Sequence, residues 1–196
     1  MQRRDFLTGA GAGLAASALA ACGGKQEATT ATGELPTVRW RLASSYPKSL
    51  DTIYGAAEVM AKRVEAITHG KFQIRVYAGG DIVPGLQVLD AVQQGTVECG
   101  HSASYYYVGK NMAFAFDCAV PFGLTARQQN AWMYHGGGLE LTRALFKDYN
   151  ILNFPGGNTG VQMGGWFRKE IKSLADLKGL KMRIPGIGGQ ILAKLG

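Results

Sequence analysis

Apolar and polar residues alternate in two stretches of the chain, residues 37–47 and 71–80. Both stretches are rich in strand-forming residues, which predicts two β-strands. Between them, residues 49–70 have apolar residues at helical spacing and end at a glycine, which predicts a helix. A short helical pattern at 85–98 and a mostly apolar strand pattern at 97–103 follow. This order of elements predicts an α/β layer with a mainly parallel sheet.

The second part of the chain repeats this alternation less regularly. Residues 125–149 have helical spacing in two pieces, which meet at the triple glycine 136–138. The patterns that follow predict, in order, a strand, a strand, a short helix, a strand and a helix. They lie at 150–157, 160–167, 173–178, 179–185 and 186–196. Because the chain stops within the last helical pattern, we expect a second α/β unit that is unfinished.

The first 21 residues have the features of an export signal. A basic pair, Arg3-Arg4, precedes a short run of alanine, leucine and glycine that is too short to predict a membrane span. The pair and the residues after it resemble a twin-arginine signature, and the residues that end at Cys22 resemble a lipobox, in which Cys22 is lipidated. The alternative is an ordinary signal peptide that is cut near Ala20. Residues 22–36 are small and polar and predict a flexible linker.

Charge and composition exclude some classes of function. The formal net charge is +7, but the lysines and arginines are scattered and form no basic stripe interleaved with aromatic residues. Nucleic acid is therefore a poor candidate partner, whereas small anions suit a mildly basic surface. Three glycines within the signal follow no strand, so they do not form a dinucleotide-binding motif. The chain also has no phosphate-binding loop, nucleophile elbow or HExxH motif. Without these catalytic and cofactor motifs, the sequence gives little support to an enzymatic function.

The cysteines and histidines show no metal-ligand spacing. Cys99 and Cys118 lack a CxxC arrangement, which favours free buried thiols, with a disulfide as the alternative in an exported protein. For His69, His101 and His135 we expect structural or surface roles.

Three stretches, at residues 40–64, 78–110 and 154–186, together resemble the solute-binding proteins of tripartite ATP-independent periplasmic (TRAP) transporters. GLKMRIPG, at 179–186, is typical of these receptors in general. Two features narrow the resemblance to the branch that binds 2-oxo acids or lactate with a metal ion. They are GGNTGVQMGGWFR, at 156–168, and the three consecutive tyrosines at 105–107.

The resemblance implies a fold like that of periplasmic binding proteins. Two α/β lobes with mainly parallel sheets are joined by hinge strands, and the ligand lies between them. Family members are much longer than the folded part here, so the second lobe is expected to be incomplete. The predicted segments are a signal peptide, a linker, a first lobe and the start of a second lobe. They comprise residues 1–21, 22–36, 37–150 and 151–196.

Arg183 matches the family's carboxylate clamp. Its guanidinium can meet a carboxylate with two parallel hydrogen bonds, which a lysine cannot copy; the alternative is a surface ion pair with Asp176. By resemblance, Gln162 contacts both the ligand and the metal ion. Asn158 is a further candidate for a ligand contact, with a turn residue as the alternative.

Tyr105 and Tyr106 are implied as ligand contacts from the first lobe, because a tyrosine offers an apolar wall and one hydroxyl donor. The alternative for a clustered tyrosine is core packing with its hydroxyl at the surface. Trp166 and Arg168 are interpreted as packing and lobe-surface groups.

The sequence therefore predicts a receptor that binds a small 2-oxo or 2-hydroxy monocarboxylate, either pyruvate-like or lactate, together with Na⁺ or Ca²⁺. The remaining metal ligands are expected in the C-terminal half of the family. The ligand would pass to the TRAP membrane permease, and the receptor would lie in the periplasm or on the outer face of the cytoplasmic membrane, attached only by its N-terminal lipid. The alternatives are an exported redox enzyme folded around a cofactor and a cell-envelope scaffold.

Overall fold

The structure is a computed structural model, and it describes residues 36–118, 120–162, 164–184 and 186–195. The predicted signal peptide, the predicted lipidation site Cys22 and nearly all of the predicted linker lie outside the described residues. Among the described residues, no helix has both the length and the apolar character that a bilayer span requires.

A three-stranded parallel sheet forms the centre of the fold. Strand β1, Val38–Ser44, lies between β2, Phe72–Tyr77, and β3, Cys99–His101, and both neighbours run parallel to it. The last three residues of β1 are buried, as expected for the central strand of a sheet covered on both faces. This confirms the predicted α/β class and its parallel sheet. Because the strands are parallel, their carboxyl ends meet at one edge.

Helix α1, Asp51–Ile67, connects β1 to β2 and packs against β2. Its buried residues are Tyr54, Ala57 and Ala61, whose spacing of three and four places them on one face. The helix ends three residues before Gly70, the glycine at which the helical pattern ends. Gly70 adopts a φ of +77°, which glycine accommodates without strain.

Helix α2, Val88–Gln93, precedes β3 and follows a 3₁₀ turn at Gly85–Gln87. Val88 and Ala91 of this helix pack with Ala43 of β1 and with Val97 to form one core cluster, whereas Leu89 belongs to a second. A side chain at Gly100 would approach Cγ1 of Val88 to 2.6 Å, so the close packing of α2 on β3 requires glycine there.

Helices α3, Ala126–His135, and α4, Gly138–Lys147, are the two predicted helical pieces. Thr125 and Gln128 form a capping box at the start of α3, and Gly137 separates the helices with a φ of +82°. Phe146 of α4 packs against Phe114, which is fully buried in the second core cluster.

The strands predicted at 150–157, 160–167 and 179–185 are wrong. The described residues of these segments contain no strand, and the segments around them contain only a 3₁₀ turn at Leu174–Leu177 and a helix, α5, at Gly186–Leu195. A strand must exchange backbone hydrogen bonds with a neighbour, and neither β2 nor β3 pairs with this part of the chain. Its many glycines further weaken any preference for extended structure.

Candidate functional site

The loops that leave the carboxyl edge of the sheet form the candidate site. Ligands of α/β proteins bind outside the carboxyl ends of parallel strands. Here β1 is followed by Ser45 and Tyr46, β2 by residues 78–80, and β3 by residues 102–107.

The loops after β1 and β2 are tightly packed. The Gly79 amide donates to the carbonyl oxygen of Tyr46 at 3.0 Å, and the Ser45 amide donates to the carbonyl oxygen of His101 at 2.8 Å. A Cβ atom at Gly79 or Gly85 would lie only 2.9 or 2.7 Å from the Ser45 carbonyl oxygen. Glycine at both positions therefore lets the chain approach Ser45 this closely.

Hydroxyl groups connect the same loops. Ser45 Oγ lies 2.6 Å from the Gly85 carbonyl oxygen and 2.7 Å from Ser102 Oγ. Ser102 Oγ lies 2.7 Å from the Tyr107 hydroxyl, which accepts the Leu89 amide at 3.2 Å. These contacts link the ends of β1 and β3 to the start of α2.

The three consecutive tyrosines have different environments within a 3₁₀ turn, Ser104–Tyr107. Tyr107 is buried and its ring lies 6.1 Å from that of Phe114, so it belongs to the core. Tyr105 and Tyr106 are half-buried and meet edge to face with ring centroids 4.7 Å apart. Core packing, the alternative considered for a clustered tyrosine, thus applies to Tyr107.

Tyr46 is an aromatic residue of this region that sequence reasoning missed. Its ring lies 5.1 Å from the His101 ring and 6.4 Å from the Tyr106 ring. A signal was present in the sequence, because Tyr46 follows a predicted strand directly and so had to lie near the carboxyl edge of the sheet.

Burial raises the pKa of two phenols in this region, those of Tyr46 and Tyr105. It raises the pKa of Tyr105 to about 12, with the neighbouring Tyr106 acting in the same direction. Burial is also the main reason why the pKa of Tyr46 lies well above its usual range. The Arg183 guanidinium acts in the opposite direction on the pKa of Tyr105, as the smallest of these influences. A Cβ atom at Gly186 would lie 3.6 Å from Tyr105 Cβ, so the chain just after Arg183 passes beside Tyr105.

Arg183 is exposed and has no ion pair or hydrogen bond with another described residue. The alternative role, an ion pair with Asp176, is wrong. The Asp176 carboxylate instead accepts the Ser173 amide at 2.8 Å and the Lys172 amide at 3.0 Å, and these bonds lower its pKa. Arg183 is therefore available to an anion.

Arg41 is an arginine of the same fold whose guanidinium is already paired with a carboxylate. It meets Glu98 with two side-chain hydrogen bonds of 2.6 and 3.1 Å, and these bonds lower the pKa of Glu98 to about 2. This is the two-pronged geometry predicted for Arg183 and a ligand carboxylate.

Asn158 and Gln162 lie in the irregular glycine-rich segment, and both are exposed. Asn158 Oδ1 accepts the Gly160 amide at 2.8 Å, which makes Asn158 a turn residue. Gln162 Nε2 donates to Thr159 Oγ1 at 3.1 Å. No hydrogen bond joins either residue to Arg183 in the described part of the chain.

One cavity borders all the predicted contact residues. Its lining includes Tyr46, Tyr105, Tyr106, Asn158, Gln162 and Arg183. Its volume of about 4050 Å³ is several times that of a small-molecule site, which is roughly 300–1,000 Å³. We call it the cleft, because it is an open groove and not an enclosed ligand pocket.

Large apolar side chains around the cleft are exposed. Trp166 is 91% exposed, so its predicted packing role is not fulfilled, and Val161 is 90% exposed. Phe122 is exposed as well, with a φ of +56° that is uncommon for a bulky residue. This surface gives the groove apolar walls that have no cover within the described residues.

The described residues do not form a complete metal site. They contain no group of three or more histidine, cysteine, aspartate or glutamate side chains that could hold an ion. Na⁺ and Ca²⁺ are hard cations that take several oxygen ligands, and the amide oxygen of Gln162 would supply only one.

The remaining cysteines and histidines form no metal-binding group within the described residues. Cys99 and Cys118 are free, so the disulfide alternative is wrong. Cys99 is half-buried; Cys118 is exposed as a residue, but its sulfur lies 3.0 Å from Ser104 Oγ and burial of the thiol raises its pKa. His101 lies 3.3 Å from Ser44 Oγ, and burial lowers its pKa. His69 and His135 are exposed, as expected for surface residues.

Comparison with known proteins assigns the chain to a family. The family described as bacterial extracellular solute-binding protein, family 7 (DctP), matches residues 43–196. The chain is 57% identical over 196 residues to the monocarboxylate 2-oxoacid-binding periplasmic protein of Nostoc sp. strain PCC 7120; the match covers 100% of this chain and 53% of that protein.

Two solved structures show the same fold. A TRAP transporter solute-binding protein from Bordetella bronchiseptica RB50, solved as a mixed-occupancy dimer with copurified calcium and picolinate, is 61% identical with a TM-score of 0.80 and covers 82% of this chain and 48% of its own. Another from Pseudoalteromonas atlantica T6c, with bound sodium and pyruvate, is 50% identical with a TM-score of 0.78 and covers 82% and 49%.

The chain thus spans about half the length of the relatives that it matches. The resemblance to TRAP receptors and the α/β fold that it implied are confirmed. The match includes the end of β1, strands β2 and β3 and the loops that follow them, as well as Arg183 and Gln162. The chain belongs to bacterial extracellular solute-binding protein family 7.

Proposed function

We propose that this chain forms the first lobe and the start of the second lobe of a TRAP receptor that binds a small 2-oxo or 2-hydroxy monocarboxylate. The observation that carries the proposal is the position of Arg183. It lines the same cleft as Tyr105, the backbone just after it passes beside Tyr105, and it has no ion-pair or hydrogen-bond partner among the described residues. The names of relatives point to the same ligands, since one is a 2-oxoacid-binding protein and another contains pyruvate.

Arg183 binds the ligand carboxylate. Its guanidinium stays charged at any relevant pH and offers two parallel donors. Tyr105 and Tyr106 line the same cleft, where their hydroxyl groups donate hydrogen bonds to the ligand and their rings cover its apolar end.

Gln162 contacts the ligand and contributes an amide oxygen to Na⁺ or Ca²⁺, and the remaining oxygen ligands come from the C-terminal half of the family. Asn158 shapes the turn before Gln162 and contacts the ligand only in a closed cleft. The support is the chemistry of the amide group and the presence of calcium or sodium in solved relatives.

A receptor of this kind carries its ligand to the TRAP permease and catalyses no reaction. We favour this over an exported redox enzyme because the matched family is described as solute-binding. A visible absorption spectrum discriminates between the two: the receptor is colourless, and a bound flavin, haem or iron–sulfur cluster would contradict the proposal.

Binding is expected to require both lobes. The cleft of this chain is open, and an arginine–carboxylate pair is weak in the high dielectric of water. Calorimetric titration of residues 23–196 with pyruvate and lactate, in Ca²⁺ or Na⁺, should therefore give no heat of binding. A receptor of full family length that carries this sequence should bind one of these acids, and a chelator should weaken that binding. Micromolar binding by residues 23–196 alone would show that the site is misplaced.

We also propose that Cys22 is lipidated and holds the receptor on the outer face of the cytoplasmic membrane. The support is the lipobox-like run that ends at Cys22 and the run of small and polar residues after it. When the chain is expressed in a bacterial host, mass spectrometry of the mature N-terminus should find a lipid-modified Cys22. A Cys22→Ser variant, which cannot be lipidated, is the control and should remain unprocessed at this site. A mature protein that starts elsewhere, or at an unmodified Cys22, would contradict the proposal.

A further inference from the structure

We propose that Ser45, Ser102 and Tyr107 are positioning residues of the candidate ligand site. Their hydroxyl groups form one directed chain of hydrogen bonds, which holds the loop after β1 against the turn after β3. Those two segments carry Tyr46, Tyr105 and Tyr106, which line the cleft. The ligand-binding consequence rests on the proposed function, whereas the existence of the chain does not.

The number of hydroxyl protons fixes which group donates at each step of this chain of hydrogen bonds. Each hydroxyl has a single proton. Ser45 Oγ lies 2.6 Å from the Gly85 carbonyl oxygen, which can only accept, so two bare oxygens would face each other unless the Ser45 proton lay between them. The proton in the 2.7 Å contact between the two serines must then come from Ser102.

The same reasoning continues to helix α2. Because the Ser102 proton is used toward Ser45, Tyr107 donates across the 2.7 Å contact to Ser102 Oγ. The Tyr107 oxygen in turn accepts the Leu89 amide at 3.2 Å. Leu89 lies in the first turn of α2, where backbone amides have no partner within the helix. Tyr107 therefore caps α2, and every proton from Leu89 to the Gly85 carbonyl is used.

Because one end of this chain of hydrogen bonds is buried, the loss of a hydroxyl group from it should be costly. Leu89 and Tyr107 are 3% and 4% exposed, and hydrogen bonds in such surroundings strengthen one another while an unpaired group is costly. At the other end, Ser45 is confined by Gly79 and Gly85, which leave no free space around its carbonyl group. A displacement at one end is therefore transmitted to the other.

The chain fixes the walls of the cleft before a ligand arrives. Tyr46 directly follows Ser45, and Tyr105 and Tyr106 directly precede Tyr107. A site whose walls are already ordered loses less conformational entropy on binding. Removing one hydroxyl should thus weaken ligand binding although none of the three residues needs to touch the ligand.

Amide hydrogen exchange, measured by NMR on the 196-residue chain, tests the proposal without any ligand. Tyr107→Phe keeps the ring and removes the hydroxyl. The Gly79 amide, which is bonded to Tyr46 at the far end, should exchange about tenfold faster, as expected when one buried hydrogen bond is lost. Ser45→Ala breaks the chain at its other end and should speed exchange of the Leu89 amide, because coupling between two sites is reciprocal.

Val97→Ala is the matched control. It opens space in the core just before β3, removes no hydroxyl group, and should speed exchange across the whole sheet alike. The proposal is overturned if Tyr107→Phe affects only the Leu89 amide, or affects all amides in the pattern of Val97→Ala. If Tyr107→Phe does not fold, Ser45→Ala decides the matter through the Leu89 amide.

Ligand titration of a full-length receptor separates this proposal from the proposed function. Tyr107→Phe should raise the dissociation constant for pyruvate about tenfold, and Val97→Ala should leave it unchanged. A wild-type receptor that binds no monocarboxylate would overturn the proposed function, and the exchange measurements would still decide whether the hydroxyl chain positions the loops.

Discussion

Phe114→Ala is expected to lower the free energy of unfolding of this chain by about 3–5 kcal/mol. Phe114 is 0% exposed, and its ring centroid lies 6.1 Å from that of Tyr107, 5.1 Å from that of Phe146 and 5.0 Å from that of Tyr149. Alanine would remove the central ring of this group, with loss of buried apolar area and of three favourable aromatic contacts. Such a loss is a large part of the roughly 5–15 kcal/mol that stabilises a typical domain.

Urea unfolding followed by circular dichroism measures this effect as a shift of the midpoint at an unchanged slope. Phe114→Leu is the control, because leucine refills most of the volume and should cost clearly less than alanine. A loss below about 1 kcal/mol for Phe114→Ala would be that of an average substitution and would mean that the site collapses around alanine. Since Tyr107 packs on Phe114, the same variant should also loosen the turn that carries Tyr105 and Tyr106.

The first half of the fold could be predicted because its signals are local. The alternation in β1, the helical spacing in α1 and the glycine at Gly137 each involve residues within a few positions of one another. Helix and strand periodicities, and the turns between them, are properties of such short stretches. The order of these elements then left a parallel sheet as the consistent arrangement.

The predicted strands between residues 150 and 185 failed because a strand is not a local property. Alternation within a segment shows which face could be buried, but the segment becomes a strand only when another strand supplies hydrogen bonds. The same reason explains Trp166, whose size predicts packing but which is 91% exposed here. Packing depends on a partner surface that the sequence of this segment does not specify.

The candidate site was predictable in its residue types and only partly in its positions. The triple tyrosine pointed to the cleft, but sequence spacing could not tell that Tyr107 is buried while Tyr105 and Tyr106 are half-buried. Their orientation follows from the 3₁₀ turn and from the contact of Tyr107 with Phe114, which lies on a different segment. The hydroxyl chain likewise joins segments far apart in sequence, so no short motif reveals it.

Arg183→Lys is expected to raise the dissociation constant of the carboxylate ligand roughly 10- to 100-fold or more, which corresponds to about 1.5–3 kcal/mol. A guanidinium fixes both carboxylate oxygens in one plane, whereas an ammonium is a point charge on a flexible stem. The variant keeps the charge, so it tests the geometry of the clamp and not the mere presence of a cation. Arg183 is exposed and unpaired among the described residues, so the substitution should leave folding stability nearly unchanged.

Ligand titrations of a receptor of full family length, with and without chelator, provide the measurement. Arg127→Lys, the same change at an exposed arginine of α3, is the control and should bind like wild type. Gln162→Ala should weaken binding in the presence of the metal ion and lose much of its effect when a chelator removes the ion, because its amide oxygen would serve the cation as well as the ligand. Arg183→Lys should weaken binding under both conditions. If it binds like wild type, another group must hold the carboxylate, and Arg183, although free in the cleft beside Tyr105, would not be the clamp.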